Sequence, residues 1–504
     1  MTKNNWSLEK VNKEKVVKKK LNSNTNSTFN NSFFDIMKSA INFTRTENLA
    51  LTHKSTQSNV LDLFSMGGAL RTRSSEDIQK MISKALAEDF TLGVKCLFYL
   101  RDIRGGQGER KTFREGLQVL GKHYNQELDK LLPLIPEYGR WDDIFYVTGV
   151  DFIELLSDQI DKDLSTDKPS LLGKWLPSEN ASSIKTIKLA RALRKYLGLG
   201  SKTYRQILSD LRAKISLVET KLSNKEWSEI DYSTVPSKAN LKYKKAFRKH
   251  DEERYEKYLD SVDKGEAKIH TATLYPYEIV RRAMEENDRT LDTLWNNLPN
   301  YVREDDKGIV VADVSGSMTG HPITVSISLA MYFAERNVGP FKNKFITFSQ
   351  KPELQEVIGN TLNQKIVNLN NASWDMNTNI QAVFDLILNT ALNNNVSKED
   401  LPSTIYIISD MEFDEASGYQ DKTNYQVIRD KYGAAGYKMP QLVFWNVDSR
   451  QNNVPVEQNE EGVILVSGSS PSIFKMVMEK TTPIEFMKKV LNSERYNKID
   501  EVLK

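Results

Sequence analysis

One short segment in the second half of the chain restricts the fold more than any other. It begins at Ile309 with four consecutive apolar residues and then places Asp313, Ser315 and Ser317 two positions apart. An uninterrupted apolar run of this length is typical of a strand that is buried on both faces of a parallel sheet. Ligands of open α/β sheets bind at the carboxyl ends of the strands, where these oxygen atoms would lie. Three oxygen donors at this spacing suit a hard divalent cation such as Mg²⁺.

The rest of residues 301–504 alternates between strand and helix patterns. Strands are predicted at 307–314, 345–348, 354–358, 404–409, 441–447 and 462–466. Helices are predicted at 323–336, 380–392, 425–432 and 483–491. This alternation predicts an α/β, doubly wound, Rossmann-like sheet with helices on both faces.

The Asp-x-Ser-x-Ser segment resembles the metal-ion-dependent adhesion site of von Willebrand factor A domains. In that family a Thr and an Asp from two later loops complete the site, and Thr378 and Asp410 occupy matching positions here. The resemblance implies Mg²⁺, with Mn²⁺ or Ca²⁺ as alternatives, and one coordination position open to an acidic group of a partner protein. It implies as ligands Asp313, Ser315, Ser317, Thr378 and Asp410. The alternative is a Ser-rich helix cap that follows a strand ending in Asp.

The first part of the chain is predicted to be helical. Residues 75–86, for example, combine apolar positions at helical spacing with acidic residues in the first turn. Many short helices with few strand signals predict an α-helical repeat domain at 31–300, a HEAT-like solenoid or ring, although the sequence has no clear period. Residues 1–30 are polar with a basic cluster at 13–20, and we expect a disordered basic arm there. A multidomain chain divided at 30 and 300 is therefore predicted.

Charge is distributed unevenly between the two predicted folded domains. The formal net charge of the 504 residues is +3, but residues 1–300 carry 50 basic against 41 acidic side chains, and residues 301–504 carry 20 against 26. A basic first part suggests a polyanionic partner.

Three stretches of the helical part could bind such a partner. Residues 100–111 combine three glycines with basic side chains, residues 133–143 place an Arg beside Trp141, and residues 238–249 mix basic with aromatic residues. Each also has a structural interpretation: a turn whose charges pair with each other, a buried Trp anchor, and a solvated helix face. The candidate RNA-binding residues are Arg101, Arg104, Arg110, Lys111, Arg140, Lys238, Lys242, Lys244, Lys245, Arg248 and Lys249.

A larger resemblance covers residues 35–490. A helical domain carrying Val235-Pro-Ser-Lys-Ala-Asn-Leu-Lys-Tyr243, followed by an A domain, resembles the Ro autoantigen family, and the 101–110 and 138–143 stretches are more similar to an uncharacterised sister family of bacteria, plants and viruses. The resemblance implies a TROVE-like ring closed by the A domain that binds small noncoding or single-stranded RNA. It also implies a scaffold that presents RNA to a nuclease or another RNA-processing protein.

Two other functions remain open, together with the compartment. A metal-dependent protein–protein scaffold without RNA would use the A domain alone. A metal-dependent phosphodiesterase is disfavoured because two-metal chemistry needs bridging carboxylates that the sequence does not offer, so we expect no enzyme, although His321 near the metal turn could be catalytic. The single cysteine, Cys96, lies in an apolar run and predicts a reducing, cytoplasmic location with no membrane span.

Overall fold

The computed structural model describes residues 42–348, 351–370, 378–478 and 480–504. The predicted basic arm and most of the loop before Thr378 lie outside these residues.

The first part contains a two-stranded antiparallel ribbon, β1 (Phe43–Arg45) and β2 (Leu51–His53). Fourteen α-helices follow in the described residues up to 300: α1 (Asn59–Met66), α2 (Ser75–Glu88), α3 (Phe90–Arg101), α4 (Lys111–His123), α5 (Asn125–Leu131), α6 (Ile135–Tyr138), α7 (Ile153–Ser165), α8 (Leu172–Trp175), α9 (Ile184–Tyr196), α10 (Ser201–Ile215), α11 (Val218–Asn224), α12 (Ser237–Asp263), α13 (Pro276–Ala283) and α14 (Arg289–Asn296).

The second part contains the predicted α/β sheet. Its elements are β3 (Ile309–Ala312), α15 (His321–Arg336), β4 (Lys344–Thr347), β5 (Glu353–Glu356), α16 (Leu362–Asn370), α17 (Ile380–Asn393), β6 (Thr404–Ser409), α18 (Asn424–Ala434), β7 (Gln441–Asn446), β8 (Val463–Ser467), α19 (Ile473–Met476), α20 (Pro483–Leu491) and α21 (Asn497–Leu503). The strand order is β5-β4-β3-β6-β7-β8, and the strands are parallel except for β5 at one edge. The helix-rich part followed by an α/β sheet is thus confirmed.

The two faces of the sheet are buried by different helices. In β3, Val310 and Ala312 join the core that contains α15, whereas Ile309 and Val311 join the core that contains α17. Because successive side chains of a strand point to opposite faces, the uninterrupted apolar run serves both cores. β3 and β6 pair at the centre, so their carboxyl ends lie side by side.

The helical part and the sheet share one hydrophobic core. Helix α1 packs on β8, and α3 packs against α20 and α21. Two ion pairs cross this boundary: Asp102 with Arg495 at 2.8 Å and Lys95 with Asp500 at 2.7 Å. The ribbon also reaches the sheet part, because the His53 amide donates to the Val454 carbonyl at 3.1 Å.

One helix prediction is wrong. The apolar spacing of residues 142–156 predicts a single helix, but these residues form a 3₁₀ helix at Trp141–Tyr146, an irregular turn and then α7. Gly149 in this turn has φ +76°, and a Cβ there would meet the Gly121 carbonyl oxygen at 2.0 Å. The chain therefore bends where its backbone touches α4, a contact that helical periodicity cannot reveal.

Two simpler expectations can be compared with the structure. Cys96 is a free thiol and completely buried, as expected of a small apolar core residue, and burial raises the pKa of this thiol. Within the described part of the chain, no helix is long and apolar enough to cross a membrane.

Candidate functional site

Two carboxylates meet at the carboxyl edge of the sheet. Asp313 directly follows β3 and Asp410 directly follows β6, and their side chains are 0 % and 1 % exposed. The Asp313 amide donates to the Ile408 carbonyl at 2.9 Å, which continues the pairing of the two strands beyond their ends. The parallel register therefore brings together two acids that are distant in sequence.

Hydroxyl groups join these acids into one network. The Ser315 amide donates to Asp313 Oδ1 at 2.9 Å, and the Ser315 and Ser317 hydroxyl oxygens are 3.0 Å apart. Ser317 then donates to Asp410 Oδ2 at 2.7 Å. Four of the five predicted ligands are thus brought together, and we call Asp313, Ser315, Ser317 and Asp410 the acid–hydroxyl cluster.

The fifth predicted ligand has other partners. The Thr378 hydroxyl donates to Asp414 Oδ1 at 2.8 Å and accepts from the side-chain amide of Asn48 at 2.8 Å. Sequence reasoning missed both partners, because nothing in the motif indicates Asp414 and because Asn48 comes from the turn between β1 and β2. The structure shows no hydrogen bond between Thr378 and the acid–hydroxyl cluster among the described residues.

The electrostatics of the cluster fit a cation in part. Burial and the nearby charge of Asp410 raise the pKa of Asp313 to about 6. Two mutually repelling carboxylates with hydroxyl oxygens form a donor set that a hard divalent ion prefers. Arg450, however, already donates to Asp410 Oδ2 at 2.8 Å and pairs with Glu47 at 2.9 Å. Among the described residues, no group of three or more His, Cys, Asp or Glu side chains could hold a metal.

Two arginines approach a histidine that follows the cluster along the chain. His321 is the first residue of α15, four positions after Ser317. Its Nδ1 lies 2.8 Å from a guanidinium nitrogen of Arg281, and its Nε2 contacts a guanidinium nitrogen of Arg71. Burial and these two arginines lower the pKa of His321 to about 3. Sequence reasoning missed both arginines, since neither lies in a motif.

Two tyrosine rings lie next to these side chains. The Tyr277 ring lies 4.7 Å from the His321 ring and 6.0 Å from the Tyr275 ring, which is nearly parallel to it. The Arg281 guanidinium is 5.6 Å from the centre of the Tyr277 ring. We call Arg71, Tyr275, Tyr277, Arg281 and His321 the basic–aromatic strip.

The strip adjoins the glycine-rich turn at 102–110. The Tyr275 hydroxyl lies so close to Gly108 that a Cβ there would be 2.1 Å away, and Gly108 has φ +63°. The backbone amides of Gly106 and Gly108 donate to the Asp102 carbonyl, so these amides are not free to bind a phosphate. Asp102 in turn pairs with Arg495 rather than with a charge in the same turn.

The predicted basic residues of this turn have different environments. Arg101 is buried and pairs with Asp143 at 2.7 Å, which removes it from any surface contact. Arg104 and Arg110 are exposed, and Lys111 donates to the carbonyls of Arg71 and Arg73 beside the strip.

The Arg140–Trp141 pair does not act as a unit. Trp141 is 8 % exposed, as expected for a buried anchor. The Arg140 guanidinium lies instead over the Trp175 ring, 4.8 Å from its centre. Burial and the neighbours Arg110 and Arg101 lower the pKa of Arg140.

The predicted basic helix corresponds to the first half of α12, and most of its charges are neutralised. Lys244 is 2 % exposed and pairs with Glu286 and Asp288. The structure therefore makes Lys244 a core ion-pair residue and not a surface contact. The other partners follow: Lys238 with Glu278, Lys245 with Glu286, Arg248 with Asp288 and Glu256, and Lys242 with the Tyr243 hydroxyl, while Lys249 is exposed.

Comparison with known proteins gives similarity without function. Two family models match, both described as domains of unknown function: DUF2828 at residues 46–128 and 151–307, and DUF7788 at residues 307–502. The chain is 29 % identical to "Uncharacterized protein L728" of Acanthamoeba polyphaga mimivirus, over 89 % of this chain and 87 % of that protein. A solved structure titled "Crystal structure of Deinococcus radiodurans RO (RSR) protein" matches with a TM-score of 0.35 and 12 % identity, over 86 % of this chain and 93 % of that one. A similarity this low does not establish a common fold.

Proposed function

We propose that this protein binds RNA, and that the basic–aromatic strip is the central contact. The observation that supports this proposal is the grouping of two guanidiniums with the rings of His321, Tyr277 and Tyr275. Guanidiniums attract the phosphate backbone, and aromatic faces stack on unpaired bases of any identity. Single-stranded RNA is therefore the substrate class that fits best.

The exposed arginines of the glycine-rich turn extend this surface. Lys111 reaches the backbone of Arg71, and Arg110 is its direct neighbour in sequence. At the other end, the Lys238 ammonium lies 5.6 Å from the centre of the Tyr275 ring. Basic groups of the first and third predicted stretches thus approach the strip, whereas Arg140, from the second stretch, lies near Arg110. The helical part would hold RNA as a repeat or ring, and the protein would act as a scaffold and not as an enzyme.

The acid–hydroxyl cluster would bind a divalent cation, most readily Mg²⁺. Asp313, Ser315, Ser317 and Asp410 would hold it, and Thr378 would join if its loop changed partners. The ion would offer an open position to an acidic group of a partner protein, which could be an RNA-processing protein. Hard oxygen donors and a repelling pair of buried acids support this assignment.

The first test is RNA binding across a salt series, with and without Mg²⁺, using short single-stranded oligoribonucleotides. We expect the apparent affinity to fall steeply with salt, because phosphate contacts release counterions. Arg281→Glu should weaken binding at least about tenfold. The matched control is Lys398→Glu, an exposed lysine between α17 and β6, at the opposite end of the sheet. Absence of binding at low salt, or equal effects of both variants, would exclude the proposal.

A protein–protein scaffold without RNA is the second candidate. The neutralised charges of α12 favour it, because that helix offers less free positive charge than its sequence suggests. In that case Mg²⁺ binding through Asp313 and Asp410 would persist in calorimetry while RNA binding would be absent.

A further inference from the structure

The two arginines of the strip meet at the imidazole of His321, which offers too few acceptors for both of them. Arg71 and Arg281 approach the two different ring nitrogens of His321. A neutral imidazole has one acceptor nitrogen and one N–H group, so it can accept from only one of the two guanidiniums. A protonated imidazole could accept from neither.

Carboxylates do not resolve this mismatch. Arg71 directs its Nε to Glu109 at 3.0 Å, which leaves the Nη1 group that faces His321 without a carboxylate. Arg281 is exposed and forms no ion pair with the described residues. The arginine side chains therefore direct at least one N–H group toward another donor, in a place that solvent reaches.

From this geometry we infer that Arg71, Arg281 and His321 form a binding site for a single phosphate group at the end of an RNA chain. A tetrahedral oxyanion would accept from both guanidiniums and from the imidazole N–H at once, through charge-assisted hydrogen bonds. The positive end of α15, which begins at His321, adds to the attraction. The inference rests on the proposed function, because the strip would carry the remaining nucleotides.

A terminal phosphomonoester fits the triad better than a backbone phosphodiester. It carries up to two negative charges and three free oxygens, and the triad offers three donor groups. A backbone phosphodiester offers one charge and two free oxygens. The rings of Tyr277 and Tyr275 lie in line beyond His321, where the terminal bases could stack.

The test compares one oligoribonucleotide in three forms: with a 5′-phosphate, with a 3′-phosphate, and with hydroxyls at both ends. We expect one phosphorylated form to bind about tenfold more tightly than the hydroxyl form. Arg281→Gln should abolish this difference between the forms, and it should also weaken binding of the hydroxyl form, because Arg281 belongs to the strip that contacts the rest of the RNA. Arg282→Gln, on the same helix and paired among the described residues with Glu285 at 3.7 Å, is the matched control and should keep the difference.

A second measurement does not depend on RNA. Labelled histidines would be observed by NMR while inorganic phosphate is added, with chloride at equal ionic strength as the control and His321→Asn to identify the signal. We expect phosphate to shift the His321 signal in the full chain and not in Arg281→Gln. Equal binding of all three RNA forms would overturn the inference while the proposed function stands. If none of the RNA forms binds, the proposed function fails and the phosphate titration alone decides whether the triad is an anion site.

Discussion

The first half of α12 and the basic–aromatic strip place their positive charges in opposite environments. In α12, Lys244, Lys245 and Arg248 share the carboxylates of Glu286, Asp288 and Glu256. In the strip, the two arginines face an imidazole and aromatic rings, and only Arg71 has a carboxylate partner among the described residues. The first half of α12 has the higher density of basic residues in the sequence, but more of its positive charges are paired with carboxylates.

The local density of basic residues does not predict which of them keep an unpaired charge, because their acidic partners come from distant positions of the chain. The carboxylate partners of Lys244 lie 42 and 44 positions later in the chain, on the segment between α13 and α14. Arg281 reaches His321 because α13 packs against α15, and Arg71 reaches it from the segment between α1 and α2.

The largest effect is expected at the buried charge of α12. Lys244→Met should lower the free energy of unfolding by about 3 kcal/mol, because it leaves Asp288 and Glu286 without their buried partner. Thermal or urea unfolding measures this loss. The matched control is Lys245→Met, whose side chain is 78 % exposed, and which should lower the stability much less. Equal losses would mean that burial does not distinguish the two lysines.

The pH dependence of the same ion pair gives a second test. Burial raises the pKa of Asp288, but hydrogen bonds from Arg248 and Lys244 outweigh it and lower that pKa to about 2. Because the folded pKa lies below the ordinary value of 3.8, the stabilisation is present above pH 4 and is lost as the pH falls toward 2. The stability difference between the parent protein and Lys244→Met should therefore shrink over that interval. A constant difference would contradict the assigned pairing.

Charge reversal should weaken RNA binding more in the basic–aromatic strip than in α12. Arg281→Glu should weaken binding of single-stranded RNA at least about tenfold, whereas Lys249→Glu, at an exposed position of α12, should weaken it about twofold or less. Filter binding at one fixed salt concentration measures both. If Lys249→Glu had the larger effect, the RNA surface would lie on α12 and the comparison would be reversed.

The smallest effect is expected in the salt dependence. Arg110→Gln removes an exposed charge from the glycine-rich turn and should reduce the slope of log affinity against log salt by about one. Lys245→Gln, whose ammonium is paired with Glu286, should leave the slope unchanged. A similar reduction of the slope in both variants would show that the ion pair with Glu286 does not prevent Lys245 from contacting RNA.

Much of the sheet was predictable, because local pattern and environment agree there. The strand predicted at 404–409 is observed as Thr404–Ser409, and the helix predicted at 483–491 is observed as Pro483–Leu491. Strands buried on both faces show as apolar runs, and helix caps such as Thr482 mark the ends. The ribbon β1–β2 was not predicted, since its short strands depend on contacts such as that of His53 with Val454.

The candidate site divides in the same way. By itself, the sequence determined that Asp313, Ser315 and Ser317 follow a buried strand and that Asp410 follows another. Side chains just beyond two paired parallel strands must be neighbours. The contacts of the folded chain are needed to see which Arg and Lys side chains lack an acidic partner among the described residues. They are also needed to see that Thr378 bonds to Asp414 and that Arg450 reaches Asp410. Electrostatic interactions are strongest between groups within a few ångströms, and here those groups come from distant parts of the chain. Local sequence therefore does not reveal them.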